Sequence, residues 1–520
     1  MSDVHIITQP LGGSLLSLLL QRDDAPVSWT GARPRSTVAW RAIARARGSE
    51  ADWSKRWDAL LPAIMPAGAA AARLERVSRQ GGVVVTTGQQ PGLFGGPLYT
   101  WSKAMSALAL ADELEARTGI PTAAVFWAAT DDADFAEAAA TVVARSGGVD
   151  ELRATLAPAP GTPMSRAPLG DLREVARRLE EACGSGADPR SLLAAVEAYG
   201  DPARSHGEAF VTLLRTLLAP LGMPVLDASH DAVRSAGAAT IRVALDRASD
   251  IETSLSSRAS EIRAIGLDPQ VDDVPGLALV FASEGSGKRR LTIAEAGAQH
   301  DGLSPNVLLR PIVERAILPT VAYVAGPGEL AYFAQVTAVA AAMGVPSPVA
   351  VPRWSCSIVE PRVQSLLDRV GITIADLDDV DAVEGRIARA AMRDDARRAL
   401  EEMRLAIASL PAGVAVESEA LGLTSAVEGA TRSLQHRLDR LDRRIVAAIK
   451  RRDTARMRDV ATLRGALRPN GARQERVLNA IPLLTRNGCE LLADMHRAAG
   501  PHAALLVGQA LDERSPGAST

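Results

Sequence analysis

Apolar runs and apolar stripes alternate along this chain, and their spacing predicts its elements. Val83-Val84-Val85-Thr86-Thr87 is a β-branched run of the kind that suits a buried parallel strand. Gly88 to Gly96 follows as a loop holding four glycines and one proline. Pro97 suits the first position of a helix, which runs apolar to about Arg117 before Gly119 and Pro121 end it. Ala123 to Ala129 reads as the next buried strand, with Asp131, Asp132 and Asp134 behind it. The glycine loop and the acids then both lie at carboxyl ends of strands, where open α/β sheets bind ligands.

The same reading extends to the rest of the first 376 residues. Residues 1 to about 80 read as helical, with Trp29, Trp40, Trp53 and Trp57 as packing residues. A Pro/Gly-rich connection at 156–163 introduces a helical insertion at about 150–220. Met223 to Asp227 reads as a strand ending in an acid, and Leu277 to Ala282 as another with 291–296 as its hairpin partner. Thr320 to Val324 leads to a Gly326-Pro327-Gly328-Glu329 turn that opens a helix, and Val349 to Val351 is a further strand. Strands alternating with helices predict an α/β protein with a Rossmann-like parallel sheet core and helical insertions.

From about 377 the apolar stripe narrows. Leu400, Met403, Ile407 and Leu410 repeat at 3-4 spacing, and after a break at 411–413 so do Leu434, Leu438, Leu441, Ile445 and Ala448. On heavily charged helices that stripe predicts a C-terminal antiparallel coiled coil over 377–468, and a homodimer built on it. Lys450-Arg451-Arg452 reads as a solvated face or an anion site. Residues 469–520 are expected to return to the core as helices, with the terminal ERSPGAST disordered.

Composition narrows the function classes. A net charge of -3 gives no general pull toward nucleic acid or anionic membrane. Leu15 to Leu20 is too short for a signal peptide or a membrane span, so a cytoplasmic protein is expected. Cys183, Cys356 and Cys489 show no metal or redox spacing, and the seven histidines form no cluster, so no metal site is expected from either. GSGK at 285–288 is no P-loop, because Ala282 stands at the first glycine and Arg289 at the Ser/Thr.

The candidate chemistry gathers in a few places. Gly88, Gln89, Gln90, Pro91, Gly92 and Gly96, with Tyr99 on the helix behind them, form either a tight turn or a loop for an anionic ligand. The loop lacks GxGxxG, so a nicotinamide cofactor is not indicated. Asp131, Asp132 and Asp134 are either helix-cap residues or a carboxylate cluster that holds Mg²⁺, binds an ammonium group or supplies a base. If the strand persists, Asp132 and Asp134 share a side and their repulsion raises the proton affinity of Asp132. Lys103 is either solvated or reaches back to a phosphate or carboxylate. Tyr323, Gly326, Gly328, Glu329, Tyr332 and Gln335 frame the second turn with hydrogen-bonding groups suited to a sugar or amino acid, and Arg353 and Ser355 could pair with an anion.

GQQPGLFGGPLYTWSKAMSALALA, FWAATDDADF, the block 304–336, VPSPVAVPRWSCSIVE and LRPNGARQERVLNAI stand in that order. Together they resemble the bacillithiol biosynthesis cysteine-adding enzyme family over nearly the whole chain. The resemblance implies a Rossmann-like core similar to class I nucleotidyltransferase-type folds and a coiled-coil dimerisation domain. It implies ligation of L-cysteine to glucosaminyl-malate through an amide, with ATP and Mg²⁺ the natural candidate for activation. Two positions depart from the family pattern. Gln89 stands where the family often has histidine in GHQPG, and Ala133 stands where EDHDF or DDHDF has one. A nucleotide-dependent transferase on another amino acid or sugar, and a catalytically degenerate binding or scaffold protein, are the alternative functions.

Overall fold

In the computed structural model, residues 4–508 are described apart from 23, 32, 51, 52, 187, 273, 286, 297 and 299–301. The ERSPGAST tail lies outside the described residues. In chain order the strands are β1 (His5–Thr8), β2 (Val83–Gln89), β3 (Thr122–Ala128), β4 (Ala140–Arg145), β5 (Gly148–Arg153), β6 (Val225–Asp227), β7 (Leu277–Glu284), β8 (Gly287–Thr292), β9 (Leu303–Pro305), β10 (Thr320–Ala325), β11 (Ala350–Pro352) and β12 (Cys356–Val359).

Five of them make the central sheet, in the order β11-β10-β2-β3-β6, with every pairing parallel. Its middle strands are buried along nearly their whole length, which is why they read as unbroken β-branched and small-residue runs rather than as alternation. The chain lays down β2, adds β3 and β6 on one side, then returns to add β10 and β11 on the other. The strand order therefore reverses between β2 and β10, and that reversal opens a crevice at the carboxyl ends of the strands. Helix Leu98–Thr118 links β2 to β3 and is buried on most of its faces, packed between the sheet and the late helix Glu490–Val507. Gly119 ends it in the left-handed conformation.

Three details differ from expectation. The N-terminal stretch is not wholly helical, since β1 pairs with β12 through four mostly exposed residues too few to show a period. A hairpin of β4 and β5 precedes the insertion helices Arg173–Cys183, Arg190–Tyr199 and His206–Leu218. The partner of β7 is β8, which stops at Thr292. There the Thr292 hydroxyl accepts from the Glu295 N–H and Glu295 accepts from the Thr292 N–H, so the chain turns into Ile293–Ala296. The four tryptophans of the N-terminal stretch are all buried.

The chain divides into two compact units, the first comprising residues 1–143, 150–358 and 474–520, the second 144–149 and 359–473. Within the second, helix Asp394–Gly413 packs along helix Thr424–Arg452 and buries Leu400 and Leu438 with Ile407, Ile445 and Ile449 against them. The first of these helices runs through Pro411 rather than breaking there. Leu434, Leu441 and Met403 remain exposed. Among the described residues no helix is long and apolar enough to cross a membrane.

Candidate active site

The crevice between β2 and β10 is lined underneath by a buried polar network. Lys103 points back along its helix, and its Nζ donates to the Gly88 carbonyl at 2.8 Å and to Gln89 Oε1 at 2.8 Å, and lies 2.6 Å from Glu329 Oε2. Those three acceptors use all three ammonium hydrogens, so Lys103 is committed to protein groups and not to a phosphate. Burial lowers its pKa below the ordinary lysine value, with the Glu329 charge opposing that shift. Burial pushes Glu329 the other way, but the Lys103 ammonium and the Tyr323 hydroxyl hold it below the usual carboxylate range. Glu329 also accepts from the Gly326 N–H at 2.7 Å, closing the start of helix Pro327–Met343, while Tyr323 donates to its other oxygen at 2.5 Å. A Cβ on Gly326 would meet Glu329 Oε2 at 3.2 Å, so a small residue lets the carboxylate fold over the turn.

Arg310 stands beside this network. Its Nη2 donates to the Tyr332 hydroxyl at 3.0 Å, and its Nη1 approaches Gly88 so closely that a Cβ there would lie 3.4 Å away. Above them is a cavity of about 490 Å³ lined by Gly88, Gln89 and Gln90 from the end of β2, Asp131 to Asp134 from beyond β3, Glu329 and Tyr332, and Lys288 and Arg310.

The three aspartates come together through a turn, not a pleat. β3 ends at Ala128, and the Asp132 N–H donates to the Ala129 carbonyl. Asp134 then caps the single turn Phe135–Ala138 by accepting from the Glu137 N–H, while Asp132 Oδ1 accepts from the Asp134 N–H at 2.9 Å. The strand alternation expected to align Asp132 with Asp134 is therefore absent, and the turn supplies their proximity instead. Asp132 is raised above the usual carboxylate pKa, first by burial and then by the charges of Asp131 and Asp134. Asp131 is paired with Lys288, 3.2 Å from Oδ2. Glu137 accepts from Gln90 Nε2 at 2.6 Å and is raised by burial and by its neighbouring carboxylates. Tyr99 joins the same group, accepting from Gln89 Nε2 at 3.1 Å.

Other candidates lie elsewhere. Pro91, Gly92 and Gly96 do not line this cavity. The loop folds on itself, so that a Cβ on Gly92 would sit 2.7 Å from Gly96 Cα, and one side chain, Asn479, donates to the carbonyls of Leu93, Phe94 and Gly96. The first helical N–H, on Leu98, donates to the Leu478 carbonyl. Gly328 has open space where a Cβ would stand. Gln335 is buried and clasps the backbone of Val271, which itself lines the cavity. Arg353 and Ser355 do meet an anion, but it is Glu475. Arg353 forms two 2.7 Å bonds to that carboxylate, and Ser355 adds one of 2.8 Å. Lys288, Arg310, Glu137, Glu475 and Asn479 were not singled out by the sequence reading. Lys288 belongs to the GSGK stretch of the sequence and lies in β8, opposite Ser283 of β7. Among the described residues no group of three or more His, Cys, Asp or Glu side chains is arranged for a metal.

This architecture agrees with known proteins. Residues 61–302 and 292–354 match the family described as "Bacillithiol biosynthesis BshC, N-terminal Rossmann-like domain", and residues 356–504 match "Bacillithiol biosynthesis BshC, C-terminal coiled-coil domain". Relatives that carry the name "Putative cysteine ligase BshC" include one from Solibacter usitatus, 30% identical, with 85% of this chain and 87% of the relative covered. One from Koribacter versatilis is 31% identical over 83% of this chain and 84% of its own. One from Geobacillus thermodenitrificans is 27% identical over 82% and 84%. With both halves of the chain matched in order, on a Rossmann-like sheet followed by a helical hairpin, the protein belongs to the BshC family of bacillithiol biosynthesis.

Proposed function

We propose that this protein is a ligase that joins the carboxyl group of L-cysteine to the amino group of glucosaminyl-malate, forming an amide. The carrying observation is the composition of one cavity. Asp132, a carboxyl of raised proton affinity, shares it with the cations Arg310 and Lys288. Amide formation needs both kinds of group. The attacking nitrogen must lose a proton, and a carboxylate whose proton affinity is raised takes it more readily than an ordinary one. Negative charge on the acyl carbon's oxygens must be met by fixed cations. In this reading Asp132 is the base, Asp131 and Asp134 hold the ammonium form of the acceptor, and Gln89, Gln90 and Tyr332 orient hydroxyl groups.

An amide does not form from a free carboxylate without a driving force, and ATP with Mg²⁺ is the proposed source. The residues fit it in part. Among the described residues Arg310 has no carboxylate at ion-pairing distance, and with Lys288 it would hold phosphates. Among the described residues no preformed metal cage accompanies them, so Mg²⁺ would arrive with the phosphates and take Asp134 as an oxygen ligand, leaving Asp132 as the base. The protein is proposed to work in the cytoplasm as a homodimer, through the exposed leucines of its helical hairpin.

A second reading, a catalytically degenerate binding protein, draws on Ala133. That residue lines the cavity where the family motif carries histidine, and no histidine is among the cavity's described lining residues. One experiment separates the two. Purified protein is incubated with cysteine, glucosaminyl-malate and ATP, and the product is followed by mass spectrometry. An amide adduct, heavier than the acceptor by cysteine less one water, supports the ligase. Product only from the Ala133→His variant supports the degenerate reading.

A further inference from the structure

A second cavity, of about 410 Å³, adjoins the first. It lies over the ends of β3 and β6, between helix Asp231–Asp246 and the antiparallel strands β7 to β9. The two cavities share Asp131, Lys288, Pro305 and Arg310. Their common wall is thus the Lys288–Asp131 ion pair with Arg310 beside it.

The second chamber is strongly cationic. Among the described residues Arg166, Arg234, Lys288 and Arg310 line it against one acid, Asp131, and Ser165, Ser229, Ser283 and Ser304 stand in the same lining. The guanidiniums are unequally compensated. Arg234 pairs with Asp231. Arg166 donates to the Gly285 carbonyl, and Arg310 to tyrosine hydroxyls. Arg310 is the deep-set member: its hydrogen bonds go to neutral hydroxyls, with the carboxylates of Glu314 and Glu329 acting on it from further off, and an anion entering the chamber would give it a direct charged partner. Lys288 is the adaptable member, a flexible ammonium at the tip of a hairpin, held by one acid and lying 5.9 Å from the Phe281 ring.

We infer that this second chamber binds a small oxyanion of at least two charges, a dicarboxylate or a polyphosphate, and that Lys288 exchanges Asp131 for it. The exchange joins the two cavities and frees Asp131 to face the first one. The inference rests on the ligase reading only for the identity of the anion, not for its binding.

Isothermal titration of the full-length protein with L-malate and, separately, with pyrophosphate tests it without any turnover. Lys288→Ala and Arg234→Ala should each weaken the bound probe by about tenfold, the size of one charge-assisted hydrogen bond. Gln90→Ala, which alters the first cavity alone, should change the affinity less than about twofold on the same scale. None of Lys288, Arg234 and Gln90 is a core residue, so all three variants should fold. Binding of malate alone assigns the chamber to the acid end of an acceptor, and of pyrophosphate alone to a nucleotide. Absence of both, or a loss confined to Gln90→Ala, overturns the inference. Anion binding without ligation would leave the chamber standing and sink the ligase reading instead.

Discussion

Lys103 and Glu329 meet across the reversal of strand order, 2.6 Å apart and both largely shut off from solvent. One comes from the helix after β2 and the other from the helix after β10. The pair therefore ties together the two halves of the sheet that the chain builds at different times. Removing one member leaves the other charge buried and alone. Lys103→Met or Glu329→Gln should each cost about 3–5 kcal/mol, and the double variant less than their sum. Chemical denaturation of the three variants measures this, and additive losses would deny the coupling.

Asp132 is the cavity carboxyl that burial and two neighbouring charges make the better proton acceptor. General acid–base catalysis contributes about 10²–10⁴-fold, so Asp132→Asn should lower ligation at least about a hundredfold while leaving the fold intact. Turnover close to that of the parent protein would remove Asp132 from the mechanism.

Glu314 lies buried behind Arg310, and burial raises it to about 7 despite the guanidinium's opposing charge. A carboxyl raised on folding stabilises the native state in its neutral form. That contribution is complete below its unfolded value of 4.5 and is lost as the pH rises through about 7. The parent protein should thus lose stability between about pH 5 and about pH 8, and Glu314→Gln should lose less over the same interval. Parallel denaturation curves for the two proteins would exclude the effect.

Gly92 and Gly96 touch each other, and Gly96 holds φ 70° and ψ −165°, a region open essentially to glycine alone. Gly92→Ala and Gly96→Ala should therefore act on stability, by about 1–3 kcal/mol each, rather than on substrate affinity. A raised KM with an unchanged melting temperature would return these glycines to the binding site.

Leu438 and Ile445 turn inward in the helical hairpin, whereas Leu434 and Leu441, one heptad apart, stay exposed. If the exposed pair seals a homodimer, Leu441→Glu should give a particle near the chain mass of 54.5 kDa by light scattering, and the parent protein about twice that. A parent protein that scatters as a monomer at micromolar concentration refutes the dimer.

The central sheet was legible because its strands are buried on both faces. Unbroken runs such as Val83–Val85 have few other readings, and a glycine–proline loop marks where β2 and β10 stop. The edges of the site were less legible, for a geometric reason. Lys288 reaches Asp131 from 157 residues away in sequence, on a hairpin whose own pattern says nothing of its docking. Arg353 and Ser355 were recognised as anion partners, yet their anion, Glu475, stands 122 and 120 positions further on. Spacing along one element reports which residues share a face, and nothing in it reports what another element will bring to that face. Asp132 and Asp134 show the converse. Their proximity was expected from a pleat and is produced by a turn, because the chain leaves the strand at Ala128.

Asn479 has a bearing on how the protein is made. Its single amide nitrogen gathers the Leu93, Phe94 and Gly96 carbonyls and the Thr141 hydroxyl. A ribosome that has finished the glycine loop must add more than three hundred further residues before that nitrogen exists. Through this interval the nascent loop has no donor for those carbonyls from its own late segment, and a chain released early never acquires one. The backbone of the glycine loop thus gains this partner only near the end of synthesis, from a residue that stands just ahead of the last helices.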